Sequence, residues 1–356
     1  MFTLSPEQGQ IADRVAHFIQ HDSGHYFVVH GLAGTGKTTL LSAVAREFPA
    51  AKMIAPTGKA AAVLRQKTGM RVTTVHSYIY RFAGEDVDDD GTPLLRFARK
   101  HKDEGLTGDV VLLDEASMVS VDMAMDLLRT GCRVIAVGDP GQLPPVKGAQ
   151  FFDSPDGFLS QIHRQALDNP INRQAHRVRN GDDYQADGFR FRVERRASDA
   201  DIVEADVILT FTNNTRAAAN REARRVRGLW QPYPLAGEPV VCLRNSHRHG
   251  VFNGEVYTLV EPFTEGSGAV FVEVNGKIVC IQNAVFTGVK HGLLPGTEPV
   301  TSFDYGYAMT VHKSQGSEWA KVIVVDECRR PDMRKQWLYT ALTRASEQAL
   351  VLGGLK

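Results

Sequence analysis

Gly31-Leu32-Ala33-Gly34-Thr35-Gly36-Lys37-Thr38-Thr39 fits the spacing G-x-x-x-x-G-K-[ST]. The apolar run Tyr26-Phe27-Val28-Val29 precedes it, and a helix-compatible run from Leu40 to Phe48 follows. A strand that turns through glycines into a helix is the setting in which such a stretch wraps phosphate. The glycines let backbone N–H groups turn onto phosphate oxygens, and the helix N-terminus adds partial positive charge. Lys37 would reach the β- and γ-phosphates, and the Thr38 hydroxyl would ligate Mg²⁺. Gly31, Gly34, Thr35, Gly36, Lys37, Thr38 and Thr39 therefore read as one nucleoside triphosphate cradle.

Outward from this stretch, short apolar runs near 26–29, 52–55, 110–113 and 134–137 alternate with helical patterns. That alternation predicts a parallel sheet covered by helices on both faces. A second α/β set follows: strands at Val207–Thr210, Val322–Val325 and Ala349–Leu352, with helices after Asn213-Asn214-Thr215 and around Trp337 to Ala345. Two stretches break the rhythm. Residues 82–107, acidic at Glu85–Asp90 and basic at Arg96, Arg99 and Lys100, read as a small insertion. Residues 238–300 look purely β, with Asn275-Gly276 as a hairpin turn. Val240–Leu243, Glu255–Val260 and the hairpin arms could close a small barrel.

Composition excludes some classes. The 356 residues suffice for two or three domains. Lys+Arg and Asp+Glu are both 41, so a nucleic acid would need a local basic lining rather than an overall positive field. Cys132, Cys242, Cys280 and Cys328 lack metal-ligand spacing and read as small buried thiols. No signal-peptide pattern or membrane-length apolar run is present in the sequence, which predicts a cytoplasmic location and no membrane partner.

Asp114-Glu115-Ala116-Ser117 follows the strand at 110–113. At a strand end beside a phosphate loop, Asp114 would hold the Mg²⁺ shell and Glu115 would orient or deprotonate water. The next strand runs into Gly138-Asp139-Pro140-Gly141-Gln142-Leu143-Pro144-Pro145. The Gln142 amide can both donate to a γ-phosphate and accept from water.

These three stretches resemble motifs I, II and III of superfamily 1 helicases. Ala55-Pro56-Thr57-Gly58-Lys59-Ala60-Ala61, Thr74-Val75-His76-Ser77, Thr310-Val311-His312-Lys313-Ser314-Gln315-Gly316-Ser317-Glu318 and Tyr339-Thr340-Ala341-Leu342-Thr343-Arg344-Ala345 narrow the resemblance to the RecD/Dda-like 1B branch. It covers nearly the whole chain in the expected order. It implies α/β architecture with two RecA-like P-loop cores, a pin at 82–107 and a β-barrel insertion at 238–300. The implied domains are 1–160 for the first core, 161–237 with 301–356 for the second, and the barrel between. Arg344 matches the motif VI arginine, and Arg164, in Gln161-Ile162-His163-Arg164-Gln165, matches motif IV. Both would reach the γ-phosphate from the second core, cancelling charge that develops in the transition state. Gln8 would read adenine, His163 would stack on it, and Glu318 beside Gly316 would bind ribose.

Expected DNA contacts lie on both cores: Pro56, Thr57, Gly58, Lys59, Thr74 and His76 on the first, and Thr212, Asn213, Thr310, His312 and Ser314 on the second. Asn213 reads equally as a helix N-cap. Arg216, Arg221, Arg224 and Arg225 read as a phosphate stripe or a solvated face, and Phe252 and Tyr78 as base-stacking rings or core. The resemblance implies an ATP- and Mg²⁺-dependent DNA helicase moving 5′→3′ on single-stranded DNA. Its expected partners are single strands, single/double-strand junctions and replication or recombination proteins. Two alternatives stand beside it: a translocase that separates duplexes poorly, and a nucleotide-gated DNA-binding subunit of a recombination or repair complex.

Overall fold

The computed structural model describes residues 4–87, 93–100, 108–162, 168–246, 248–263, 268–274, 276–287 and 300–353. His163, Arg164, Asn275 and the centre of the expected pin fall outside them. Contacts divide the chain into two compact units. The first comprises Met1–Asp86, Leu94–Tyr184 and Arg330–Thr343; the second comprises Val87–Pro93, Gln185–Arg329 and Arg344–Lys356.

The first unit holds a six-stranded sheet ordered β3-β2-β6-β7-β1-β8. Its strands are β1 (Tyr26–Gly31), β2 (Lys52–Ala55), β3 (Val72–Thr74), β6 (Val110–Leu113), β7 (Arg133–Gly138) and β8 (Gly157–Leu159). Every described pairing is parallel. Val28, Val29, Ile54, Val111, Leu112 and Leu113 are wholly buried, as strands covered on both faces require. Helices α1 (Pro6–His21), α2 (Lys37–Glu47) and α3 (Gly58–Thr68) pack one side through Val15, Leu41 and Leu64. The short α4 (Val75–Ile79) and α5 (Val121–Leu128) pack the other through Val75 and Leu127. A two-stranded sheet, β4 (Tyr80–Val87) with β5 (Pro93–Arg99), stands where the insertion was expected.

Two helices expected with the second core belong instead to the first unit: α6 (Pro170–Asn180) and α10 (Arg334–Leu342). The reason is packing. Trp337, Leu338, Tyr339, Thr340, Ala341 and Leu342 are all buried, so α10 has no solvent face at its C-terminal half. It is a core helix of the unit that carries the phosphate loop.

In the second unit, β9 (Phe191–Glu194), β10 (Val207–Thr210), β17 (Ala308–Thr310), β18 (Trp319–Val325) and β19 (Ala345–Leu352) form a sheet ordered β17-β10-β18-β19-β9, also parallel throughout. Helices α7 (Asp199–Glu204) and α8 (Asn213–Val226) cover one face through Ile202 and Ala223. The β-rich stretch forms a four-stranded sheet of β11 (Pro239–Cys242), β12 (Val256–Thr258), β15 (Ala284–Phe286) and β16 (Thr301–Tyr305), in the order β12-β11-β16-β15. The hairpin of β13 (Ala269–Val274) and β14 (Lys277–Gln282) joins it by a Leu259–Val272 bridge. Val274 pairs with Lys277, the register a two-residue turn demands, and Gly276 takes φ +75°. Cys132, Cys242 and Cys328 are buried, whereas Cys280 lies on the exposed side of β14. No helix among the described residues is long and apolar enough to cross a membrane.

Candidate functional site

Strand order brings the quoted motifs together. β1 lies beside β7, and β7 beside β6, so the segments leaving their C-terminal ends share one edge of the parallel sheet. The loop leaving β1 turns through Gly34 (φ +84°) and Gly36 (φ +77°), left-handed conformations that cost other residues about 1–2 kcal/mol. A Cβ on Gly31 would lie 2.6 Å from Thr35 Oγ1. The loop runs directly into α2, whose N-terminus has Gly36 as its cap and no side-chain acceptor. Its first amides are therefore left for a ligand's oxygens.

Lys37 Nζ donates to the Gly31 and Leu32 carbonyls, both at 2.9 Å, and lies 3.7 Å from Asp139 Oδ2. Thr35 Oγ1 donates to Leu32 O at 2.8 Å. Gln8 is buried against the same loop: its Nε2 donates to Thr35 O at 3.1 Å and Gly36 O at 3.4 Å. Its Oε1 accepts from Ser5 N at 2.9 Å, completing the capping box of α1. In this arrangement the Gln8 amide braces the phosphate loop.

Asp114 and Glu115 follow β6. Glu115 N donates to Asp114 Oδ1 at 2.9 Å. Burial, then the neighbouring Glu115 carboxylate, pushes the Asp114 carboxyl up to about 6, against the pull of the Glu115 N–H, Lys37 and Lys67. Glu115 itself sits at φ +52°, a left-handed conformation rare for a side chain of this size. Its Oε2 is buried without a hydrogen-bond partner among the described residues, and so is Oε1 of Gln142, a residue only 4% exposed. An unpaired buried acceptor costs about 1–3 kcal/mol. A water or metal-bound water in the site would satisfy both, and an anionic triphosphate suits the Lys37 ammonium and free α2 amides. The donor set fits a nucleoside triphosphate with Mg²⁺.

Sequence reasoning missed part of this centre. Tyr339 O–H donates to Asp139 Oδ2 at 2.7 Å and accepts from Ala33 N at 2.8 Å. Thr340 Oγ1 accepts from Leu143 N at 2.9 Å. From α6, His176 lies 6.0 Å ring to ring from Tyr339, and burial lowers its imidazole pKa. The signal lies in the same stretch as Arg344, which Tyr339 and Thr340 open.

Arg344 begins the second unit's last segment and is 5% exposed, with Nη1 donating to Ser317 O at 3.1 Å. Gly316 takes φ +75° beside it, and Glu318 is exposed.

The expected DNA residues divide. In the first unit Pro56, Thr57, Gly58 and Lys59 form the β2-to-α3 corner, where Thr57 Oγ1 caps α3 by accepting from Ala60 N at 3.1 Å. Thr74 caps α4 through Ser77 N at 3.0 Å, and the His76 ring lies 4.7 Å from that of Tyr80. In the second unit Thr310 precedes the short α9 (Val311–Ser314). His312 is half-buried with its pKa lowered by desolvation. Ser314 is fully buried and its hydroxyl donates to Val311 O at 2.8 Å, so this side chain faces the interior rather than a strand. Thr212 caps α8, and Glu327 accepts from both Phe211 N and Thr212 N, at 2.8 and 3.0 Å. Glu327 thus fastens the β10-to-α8 corner, and Asn213, also read as a helix N-cap, is the first residue of α8 behind the cap Thr212.

The arginine cluster on α8 is neither a stripe nor one solvated face. Arg224, 7% exposed, donates two hydrogen bonds to the Glu238 carboxylate, at 2.8 and 3.2 Å, and Arg216 pairs with Asp304 at 2.7 Å. Arg225 pairs with Glu222 at 2.7 Å. Tyr78 is buried and donates to Asp109 at 3.2 Å, which makes it a core residue.

Comparison with known proteins agrees with this geometry. A family profile described as an AAA domain matches residues 3–193, and one described as a UvrD-like helicase C-terminal domain matches 305–352. The ATP-dependent RecD2 DNA helicase of Deinococcus radiodurans is 30% identical over 98% of this chain and 49% of its own length. The RecBCD enzyme subunit RecD of Mycobacterium tuberculosis is 28% identical over 92% of this chain and 66% of its own. The chain thus spans about half the length of the first relative and two thirds of the second. A crystal structure of Bacteroides Pif1 bound to ssDNA superposes with a TM-score of 0.64 at 20% identity, covering 100% of this chain and 93% of that one. The chain belongs to the AAA-domain family, by a match over more than half of its length, and its last part is similar to the UvrD-like helicase C-terminal domain.

Proposed function

We propose that this protein is an ATP-dependent DNA helicase that moves on single-stranded DNA. The observation that carries the reading is the shared sheet edge: two left-handed glycines, an uncapped helix N-terminus, Lys37, and the buried unpaired oxygens of Glu115 and Gln142. The α2 amides and Lys37 bind the phosphates. Thr38 and Asp114 would hold Mg²⁺, which when bound supplies charge neutralisation at the β- and γ-oxygens. Glu115 orients the attacking water and takes its proton, and Gln142 senses the terminal phosphate. Arg344 and Arg164 supply positive charge that develops its full effect in the transition state. Gln8, exchanging its loop contacts, together with His163 and Glu318, binds the adenosine portion.

Strand binding rests on Pro56, Thr57, Gly58, Lys59, Thr74 and His76 in the first unit, and on Thr310 and His312 in the second. Two RecA-like cores that grip in alternation would turn nucleotide turnover into movement along the strand, with the 5′→3′ direction taken from the family resemblance. The β4/β5 ribbon acts as the pin, and the β-rich stretch as the barrel enclosing the strand. The RecD2 relative is named as an ATP-dependent DNA helicase, which supports this reading.

The test is unwinding of forked duplexes bearing either a 5′ or a 3′ single-stranded tail, with ATP. Strand separation requiring the 5′ tail and lost in Lys37→Ala supports the proposal. Translocation without strand separation would make the protein a remodelling translocase. Absence of both, with DNA and ATP still bound, would make it a gated binding subunit.

A further inference from the structure

We propose that the Tyr339 hydroxyl is a positioning group for the hydrolytic half of the nucleotide site, an inference that rests on the ATP-site reading above. All the residues concerned lie in the first unit. Tyr339 is wholly buried, and its hydroxyl is engaged on both sides. It accepts from the N–H of Ala33, inside the phosphate loop, at 2.8 Å, and donates to Asp139 Oδ2 at 2.7 Å. That same carboxylate oxygen is 3.7 Å from Lys37 Nζ, and the other accepts from Gly141 N at 2.9 Å. One hydroxyl therefore joins the loop that wraps the phosphates, the lysine that reaches them, and the turn that carries Gln142.

The next residue completes the hold. Thr340 Oγ1 accepts from Leu143 N at 2.9 Å and donates to Gln336 O at 2.7 Å. Both ends of the turn from Asp139 to Leu143 are thus fastened to consecutive residues of α10. Among the described residues the Gln142 side-chain oxygen has no hydrogen-bond partner, so the backbone of that turn sets where the amide points. Gly141 is needed for the close approach: a Cβ there would stand 2.9 Å from Tyr339 Cε1 and 3.0 Å from Cδ and Nε of the Arg179 side chain. Burial holds the phenol protonated, so it remains a donor to Asp139 at every working pH.

A group that aims Lys37 and Gln142, without itself holding the nucleotide, should affect kcat and leave ground-state binding in place. The test uses the full chain and measures ATP titrations of hydrolysis with single-stranded DNA, affinity for fluorescent ADP, and thermal melting. Tyr339→Phe should lower kcat about tenfold or more, with KM and ADP affinity within about threefold of wild type. Gly141→Ala, which pushes the ring off its partners and keeps the hydroxyl, should show the same split. An unchanged kcat in either folded variant, with only a lower melting temperature, would make Tyr339 purely structural and overturn the proposal. Equal losses in kcat and ADP affinity would overturn it too, by making Tyr339 a binding residue. Lys37→Ala is the reference: if it hydrolyses ATP like wild type, the nucleotide-site reading fails, whatever Tyr339 does.

Discussion

Glu115 carries two structural penalties at the position where the catalytic base was read, and replacing it separates stability from activity. Its φ of +52° costs about 1–2 kcal/mol relative to the right-handed region, and its Oε2 is buried without a partner at about 1–3 kcal/mol. Glu115→Gly removes both. Set against the greater freedom of an unfolded glycine, about 0.5–1 kcal/mol, and the lost packing of two methylenes, about 1.5 kcal/mol, the middle of these ranges leaves a net gain of about 1–2 kcal/mol. For a unit of this size that is a rise in melting temperature of about 2–8 °C. Glu115→Gln keeps the backbone strain and the unpaired oxygen, so its melting temperature should stay near wild type. Both variants lose the proton acceptor, and hydrolysis should fall about 10²–10⁴-fold in each. The assay pairs differential scanning calorimetry with single-turnover ATP hydrolysis in the presence of single-stranded DNA. A Glu115→Gly protein that melts below wild type, or a Glu115→Gln protein that hydrolyses ATP at the wild-type rate, would refute the idea that strain is stored here for catalysis.

Three further outcomes follow from other parts of the molecule. Glu238→Ala leaves the Arg224 guanidinium buried without its counter-charge, with the Gln231 and Tyr233 carbonyls still accepting from it, and should destabilise the second unit by about 3 kcal/mol in denaturant titrations, with ADP affinity unchanged. Lys59→Ala should lower affinity for single-stranded DNA and reduce the slope of log affinity against log salt by about 0.7, whereas Thr212→Ala, at a site already held by Glu327, should leave both nearly unchanged in fluorescence-anisotropy titrations. Hydrogen bonds from Arg192 hold the Asp201 carboxyl down to about 2, below its unfolded value near 3.8. Its contribution is therefore complete above about pH 4 and lost as pH falls through about 2, so acid unfolding of Asp201→Asn should lose steepness in that window.

How much of this was legible in the sequence depends on the range of the interaction that fixes each part. The phosphate loop, Asp114-Glu115 and the Asp139–Gln142 turn were readable because their spacing records a local backbone requirement, such as φ > 0 at Gly34 and Gly36. The strands β3 and β8, three residues each, are too short to show a run, and β9, Phe191-Arg192-Val193-Glu194, lacks the continuous apolar character by which the other core strands were legible. Tyr339 and Asp139 are 200 residues apart, and nothing local to either discloses the other. The arginines of α8 have helical spacing, but their roles come from Glu238, Asp304 and Glu222, partners that periodicity does not name. Ser314 lies in the right motif, yet its hydroxyl turns back to Val311 O, a choice made by burial rather than by sequence neighbours.

The central claim is that nucleotide held at Lys37 is hydrolysed in response to a bound strand. The steady-state ATP hydrolysis rate of wild type and Lys37→Ala, each with and without single-stranded DNA, tests it most directly. The account predicts a rate that rises severalfold or more on adding DNA and vanishes in Lys37→Ala, while that variant melts like wild type. A wild-type rate indifferent to DNA, or DNA-stimulated hydrolysis surviving in Lys37→Ala, would contradict it.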